Sequence, residues 1–277
     1  MDASSHNQQH YDTVTDAWTY ILGDNLHYGA FSPGTQDLEA ATDQLIWEMA
    51  EFGDLQQGMK VLDVGCGIGN PALALCQKFA CDVTGITISG RGVELANADA
   101  QARGLSGSAR FLVSDALDNR LGADVFDLVW QMESSHLMYD KPRLFQENSR
   151  VLKSGGVIVL CDLFLKREFS VTDIYNYRNE LAVLEASFGK AKMATMDYYQ
   201  DCLENCGFES VALLDISERA RPTLTHWQHN VENNRSNIEQ LLDNKAVDEF
   251  LDACVILDDF FHRDLLGYGL IRGRKGG

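Results

Sequence analysis

The chain runs to 277 residues, 45% of them hydrophobic, which is ample for one large α/β domain. A formal net charge of −18 argues against a nucleic-acid partner, because such binding relies on Lys and Arg neutralising phosphates. Seven scattered cysteines suit buried thiols in a reducing cytoplasm, and without an apolar run of about 18 residues neither a signal peptide nor a membrane span is expected.

Residues 1–9 are polar and expected to fray. Residues 10–22 read as a helix and 23–31 as a loop, and the two crowd Tyr11, Trp18, Tyr20, His27, Tyr28 and Phe31 ahead of the first strand. Such a cluster either packs an N-terminal helix on the core or forms a lid whose tyrosines cover a ligand and exclude water. Leu38, Ala41, Leu45, Met49 and Phe52 form one stripe of an amphipathic helix over 37–52, stopped by Gly53.

The run Val61-Leu-Asp-Val-Gly-Cys-Gly-Ile-Gly69 joins a short apolar strand to a glycine turn, and 72–79 reads as a helix. Strand, glycine turn and helix N-terminus together make an anion- and nucleotide-binding corner. A dinucleotide fold would place G-x-G-x-x-G here and an acid about 20 residues later. This chain has G-x-G-x-G with Asp63 before the turn, and its second strand (81–89) ends in Thr87, Ile88 and Ser89, without the acid. A helix over 92–104 leads to a third strand, 109–115, ending in Asp115 and Ala116. That pair fits an adenine site, a carboxylate for the exocyclic amine beside a small residue; an aspartate here equally suits a helix N-cap.

The fourth strand (125–131) leads through Met132 to Asp140 into a helix over 142–152, and the fifth strand spans 155–162. Helices follow over 172–188 and 195–206, then a strand over 208–216, helices over 222–245 and 246–263, and a closing strand over 265–272. The expected fold is α/β: a Rossmann-like, doubly wound, mostly parallel seven-stranded sheet with ligand sites at the strands' C-terminal ends. One domain is expected: a helical N-terminal lid over 1–53, a nucleotide-binding core over 58–165, and acceptor-lid helices with the last two strands over 166–277.

The glycine run resembles motif I of the class I S-adenosylmethionine (SAM) methyltransferases. Thr84-Gly-Ile-Thr-Ile-Ser, Phe126-Asp-Leu-Val-Trp-Gln-Met-Glu-Ser-Ser-His-Leu-Met and Arg150-Val-Leu-Lys-Ser-Gly-Gly extend the likeness. Leu214-Asp-Ile-Ser-Glu-Arg-Ala-Arg-Pro-Thr-Leu and Gly267-Tyr-Gly-Leu-Ile-Arg-Gly-Arg-Lys narrow it to the tocopherol/ubiquinone/cyclopropane type, and within it to the rebeccamycin type of sugar O-methyltransferase. The resemblance implies SAM as cofactor, held around Asp63, Gly65, Gly67, Asn70, Thr87, Ile88, Asp115, Ala116 and Gln131, with Tyr11, Tyr20 and Tyr28 covering it.

A hydroxyl acceptor is a poor nucleophile until its proton is taken, so a positioned base is expected. His136 follows the fourth strand and Asp162 ends the fifth, its expected neighbour; a carboxylate there orients an imidazole and stabilises its protonated form. The resembling sugar enzymes carry a catalytic His and Asp at these positions, and a second His where this chain has Leu137. Glu133 either coordinates an acceptor or caps the next turn, and His27 is a reserve base. His226 and His229 have no companion ligands at metal spacing and read as a solvated helix face, so no metal is expected.

Gln131-Met-Glu-Ser replaces the Asp/Asn-Pro-Pro-aromatic motif of nucleic-acid amino-methyltransferases. Phe164, Phe169, Tyr175, Tyr177, Phe188, Tyr198 and Tyr199 supply apolar surface that suits a flat or greasy metabolite, with several of them expected to be ordinary core. The expectation is therefore O-methylation of a small natural product, glycosides included, with a homo-oligomer left open. C- or N-methylation of an isoprenoid or indole, a catalytically silent SAM-binding protein and an NAD-dependent oxidoreductase are the alternatives, the last disfavoured by the missing acid.

Overall fold

The computed structural model describes residues 3–35 and 37–277. Helices α1 (Ala3–Leu22) and α2 (Leu38–Phe52) precede the alternating core of β1 (Lys60–Val64), α3 (Asn70–Phe79), β2 (Asp82–Thr87), α4 (Gly90–Ala102), β3 (Ala109–Val113), β4 (Phe126–Met132), α5 (Lys141–Val151) and β5 (Leu152–Leu165). Then come α6 (Val171–Asn176), α7 (Arg178–Phe188), α8 (Met196–Asn205), β6 (Phe208–Asp215), α9 (Ser217–Ala220), α10 (Thr223–Ile238), α11 (Asn244–His262) and β7 (Leu266–Lys275).

The seven strands form one sheet in the order β3-β2-β1-β4-β5-β7-β6. The first five run parallel, and β7 lies antiparallel between β5 and β6. Strand pleating splits the core. Val61 of β1 and Trp130 of β4 pack with α1, α2 and the C-terminal helices, whereas Leu62, Val64 and Val129 pack against α5 and α8. Because β7 begins where β5 ends (Leu165 pairs with Leu266), the segments leaving β5 and β6 and entering β7 share one edge with the C-terminal ends of β1 to β4. Helices α10 and α11 stand at that edge against α1 and α7.

Local chemistry sets several boundaries differently from the sequence pattern. The N-terminal helix begins at Ala3: Asn7 exchanges two hydrogen bonds with Lys190 (3.0 and 2.9 Å), so a polar stretch is tied to the start of the α7–α8 loop. The expected single helix over 172–188 is two, started by a Ser170–Asp173 capping box and interrupted at Tyr177. The break between α10 and α11 falls at 239–243, where Asp243 caps α11 through the Ala246 amide (2.8 Å). Strand β5 starts at Leu152 and takes up Gly155 at φ 74°. All seven cysteines are free thiols, and all but the half-buried Cys206 are buried. Among the described residues no helix is long and apolar enough to cross a membrane.

Candidate active site

The glycine turn is built by backbone conformation. Gly65, Gly67 and Gly69 sit at φ 82°, 51° and 84°, the left-handed region that side chains resist. A Cβ at Gly65 would come 2.2 Å from that of Ser134, whose hydroxyl donates to the Val64 carbonyl at 2.6 Å. Above Gly67 the space is open: a Cβ there would meet no protein atom within 4 Å. The N-cap of α3, Gly69, offers no side chain to the first helical amides, which stay available to an anion.

Asp63 is the penultimate residue of β1, buried to 2% exposure, and among the described residues no hydrogen bond reaches its carboxylate; burial pushes it up to about 7. Thr87 and Ile88 are half-buried at the end of β2. Beyond β3, Asp115 is exposed and accepts from the Leu117 amide (2.9 Å), beside the buried Ala116. An open glycine turn, an uncapped helix start and a buried carboxylate without a partner fit a cofactor carrying a carboxylate, an ammonium and an adenosine.

Helix α1 closes this corner. Asp12 accepts from the Ser89 hydroxyl (2.6 Å) and the Arg91 amide (3.3 Å), and Asp16 pairs with Arg91 (3.1 Å). The Tyr11 hydroxyl donates to the Phe188 carbonyl (3.4 Å), and burial together with the Asp162 and Glu133 charges pushes its pKa up. Tyr20 lies on the outer face of α1, 41% exposed. Asn70 donates to the Asp24 carbonyl and accepts from Arg103 (2.9 Å), tying the loop after α1 to the glycine turn. The pleat of β4 turns Gln131 away from the expected cofactor edge toward α5: it is fully buried, its amide held by Asn148 (3.3 Å) and Met138 (3.5 Å).

His136 lies in a single 3₁₀ turn, Ser135–Leu137, after β4, and Asp162 lies in the adjacent β5. Imidazole Nδ1 and carboxylate Oδ1 are 2.6 Å apart. The carboxylate also accepts from the His136 amide (3.0 Å), the Leu163 amide (2.8 Å) and the Ser135 hydroxyl, which in turn contacts the Tyr199 hydroxyl (2.8 Å). Burial pushes Asp162 up, but His136 and the Ser135 and backbone donors outweigh it, so the carboxylate lies below its ordinary range and stays anionic. With Nδ1–H committed to that anion, the neutral ring presents Nε2 as its lone pair.

Glu133 connects β4 to the loop after α1. Its Oε1 accepts from the Tyr28 amide (2.7 Å) and the Tyr268 hydroxyl (2.5 Å), and its φ is 46°, a strained value for a side chain this large. Burial outweighs both donors and pushes its carboxyl up to about 8. Tyr28 lies 4.7 Å from Trp227, 5.1 Å from Tyr268 and 6.2 Å from Phe261, centroid to centroid, and its buried hydroxyl has no partner among the described residues. His27 bonds the Tyr28 carbonyl through Nδ1 (2.6 Å); its Nε2 is buried without a partner among the described residues, and burial lowers its pKa to about 4. His226 stacks on Phe31 (5.0 Å). A cavity of about 170 Å³, lined by Asp127, Lys153, Gly155 and Arg274, lies at the opposite sheet edge, away from these groups.

Composition and spacing missed Ser134, Ser135, Asp12 and Ser89. Ser134 and Ser135 stand inside a quoted motif, but only packing reveals their bonds. Ser89 was legible only as the end of the second strand; its bond to Asp12 left no signal, since 77 residues separate the two.

The family model for mycolic acid cyclopropane synthetase matches residues 1–264. The chain is 31% identical to 27-O-demethylrifamycin SV methyltransferase of Amycolatopsis mediterranei over 265 residues, covering 96% of this chain and 95% of that one. Among solved structures it is similar to the [4+2]-cyclase SpnF, with a TM-score of 0.84 at 28% identity over 99% of this chain and 96% of that one. The fold also matches mycolic acid cyclopropane synthase CmaA1 complexed with SAH, with a TM-score of 0.89 at 17% identity over 99% of both chains.

Proposed function

Because the chain belongs to the mycolic acid cyclopropane synthetase family, we propose that it methylates a hydroxyl group of a small natural product, a glycoside being one candidate. It is a SAM-dependent methyltransferase of the small-molecule type. When bound, SAM supplies an electrophilic methyl group on a sulfonium. Asp63 and the open backbone of the turn at Gly65 and Gly67 would hold its amino-acid end; the Gly65 and Cys66 amides already donate to the Ile86 carbonyl (2.8 and 3.0 Å). Thr87, Ile88, Asp115 and Ala116 would hold its adenosine, with Tyr11 and Tyr28 in the cover.

The single observation that carries the hydroxyl reading is the 2.6 Å contact between His136, in the turn after β4, and Asp162, inside β5 three residues before its end. Nε2 of His136 takes the acceptor's proton, and the imidazolium so formed stays paired with an anionic, buried Asp162. The carboxyl of Glu133 would offer its second oxygen to a neighbouring polar group of the acceptor. His27 is a second candidate base, held neutral by its lowered pKa. The relative named for an O-demethyl substrate supports oxygen as the methylated atom.

The aromatic faces of Tyr28, Trp227, Phe261 and Tyr268 favour one other reading, C- or N-methylation of an isoprenoid or indole, because such faces stabilise a cation. Labelled SAM incubated with the enzyme and a library of hydroxylated, isoprenoid and indole metabolites separates the readings. Label in an ether oxygen's methyl supports the proposal, and label on carbon or nitrogen alone rejects it.

A further inference from the structure

Lys141, the first residue of α5, is 1% exposed, and among the described residues no carboxylate lies within ion-pair distance of its ammonium. A buried ammonium is costly unless hydrogen bonds satisfy it. Its Nζ donates to two backbone carbonyls, Met138 at 2.5 Å and Lys192 at 2.9 Å. Those carbonyls bracket the turn that carries the base. Met138 closes the 3₁₀ turn through its amide to the Ser135 carbonyl (3.0 Å), and the Lys192 amide donates to the His136 carbonyl (2.7 Å). The same ammonium lies 5.8 Å from the centre of the Tyr199 ring, whose hydroxyl contacts Ser135.

We infer that Lys141 is a positioning residue for the His136–Asp162 pair: its ammonium ties the turn bearing His136 to the segment before α8, and so fixes the imidazole on the carboxylate. The inference rests on His136 being the base. Three features favour this role over simple packing. Both acceptors belong to segments that touch His136 or its turn. A methionine would fill the same volume without burying a charge. Burial lowers the Lys141 pKa to about 8, with Asp162 opposing that shift and Lys192 reinforcing it, so the site retains a charge at some energetic cost.

The test uses the full chain saturated with S-adenosylhomocysteine and observes the far-downfield proton on Nδ1 of His136, assigned by its absence in His136→Ala. Lys141→Met is expected to broaden or lose that resonance. It should also lower kcat about 10- to 100-fold, the range that a misplaced catalytic group produces, with KM for SAM unchanged. Lys141→Gln keeps one donor group, is expected to recover part of both, and serves alone if the methionine variant does not fold. An unchanged resonance and kcat in Lys141→Met, or in Lys141→Gln where that alone folds, overturns the inference and leaves the base assignment standing. Normal turnover by His136→Ala removes the base assignment, and this inference with it.

Discussion

Tyr268, on the antiparallel strand β7, donates its hydroxyl to the Glu133 oxygen that also accepts the Tyr28 amide, so one carboxylate oxygen joins the loop after α1, β4 and β7. Its hydroxyl also touches Cys161 of β5 at 3.2 Å. Three regions far apart in the chain thus meet on a residue whose own backbone is strained.

This arrangement predicts a pH-dependent gain from Glu133→Gln. Folding raises the Glu133 pKa from 4.5 to about 8, so the native state binds the extra proton, and stability declines as pH rises through that interval. Glutamine keeps an acceptor for both donors without the charge. Thermal melting should place Glu133→Gln further above the parent at pH 9 than at pH 6, and an equal difference at both would contradict the raised carboxyl.

Removing the imidazole should separate chemistry from binding. His136→Ala is expected to lower kcat by ~10²–10⁴ with SAM affinity nearly intact. Asp162→Asn should reduce kcat as well, since the amide cannot stabilise the imidazolium. Calorimetric SAM titration beside turnover checks both, and an active His136→Ala excludes this base.

Gly65→Ala should fail for steric reasons. A methyl group at φ 82°, 2.2 Å from Ser134, must displace the segment leading to His136. A destabilisation of about 2 kcal/mol or more is expected, by backbone strain and overpacking together, with SAM binding lost. Gly67→Ala meets no atom and bears only the φ cost and the loss of ligand space. It should therefore melt closer to the parent while still binding SAM weakly, which differential scanning fluorimetry with and without SAM will show.

Asp12→Ala should loosen the cover over the cofactor. The variant removes the acceptor for Ser89 and the Arg91 amide but leaves the Asp16–Arg91 pair, so stability should change by about 1 kcal/mol or less. Stopped-flow measurement should find faster SAM release. An unchanged off-rate would mean that α1 does not gate the site.

Much of the fold was legible because its signals are local. Apolar runs separated by glycine turns identify β1 to β5 and their order of occurrence, and Asp63, His136 and Asp162 stand within a few residues of strand ends that any doubly wound sheet brings to one edge. Helix ends were less legible, since caps such as Ser170–Asp173 and Asp243 compete with periodicity. Gln131 and Tyr20 show the limit: the residue type suggested ligand contact, but strand pleat and helix face turned one into the core and the other to solvent.

By itself the sequence determined the alternating βα chain, the glycine corner and the presence of an imidazole and a carboxylate on successive strands, because propensity, periodicity and φ preference act within a few residues. Only the tertiary structure decided that Tyr268 and Tyr28 would share Glu133, that Lys141 would stand behind His136, and that Asp12 would close on Ser89. Those partners lie in distant stretches of chain, and their meeting depends on the antiparallel insertion of β7 and the seating of α1, which follow from how the whole apolar surface is buried.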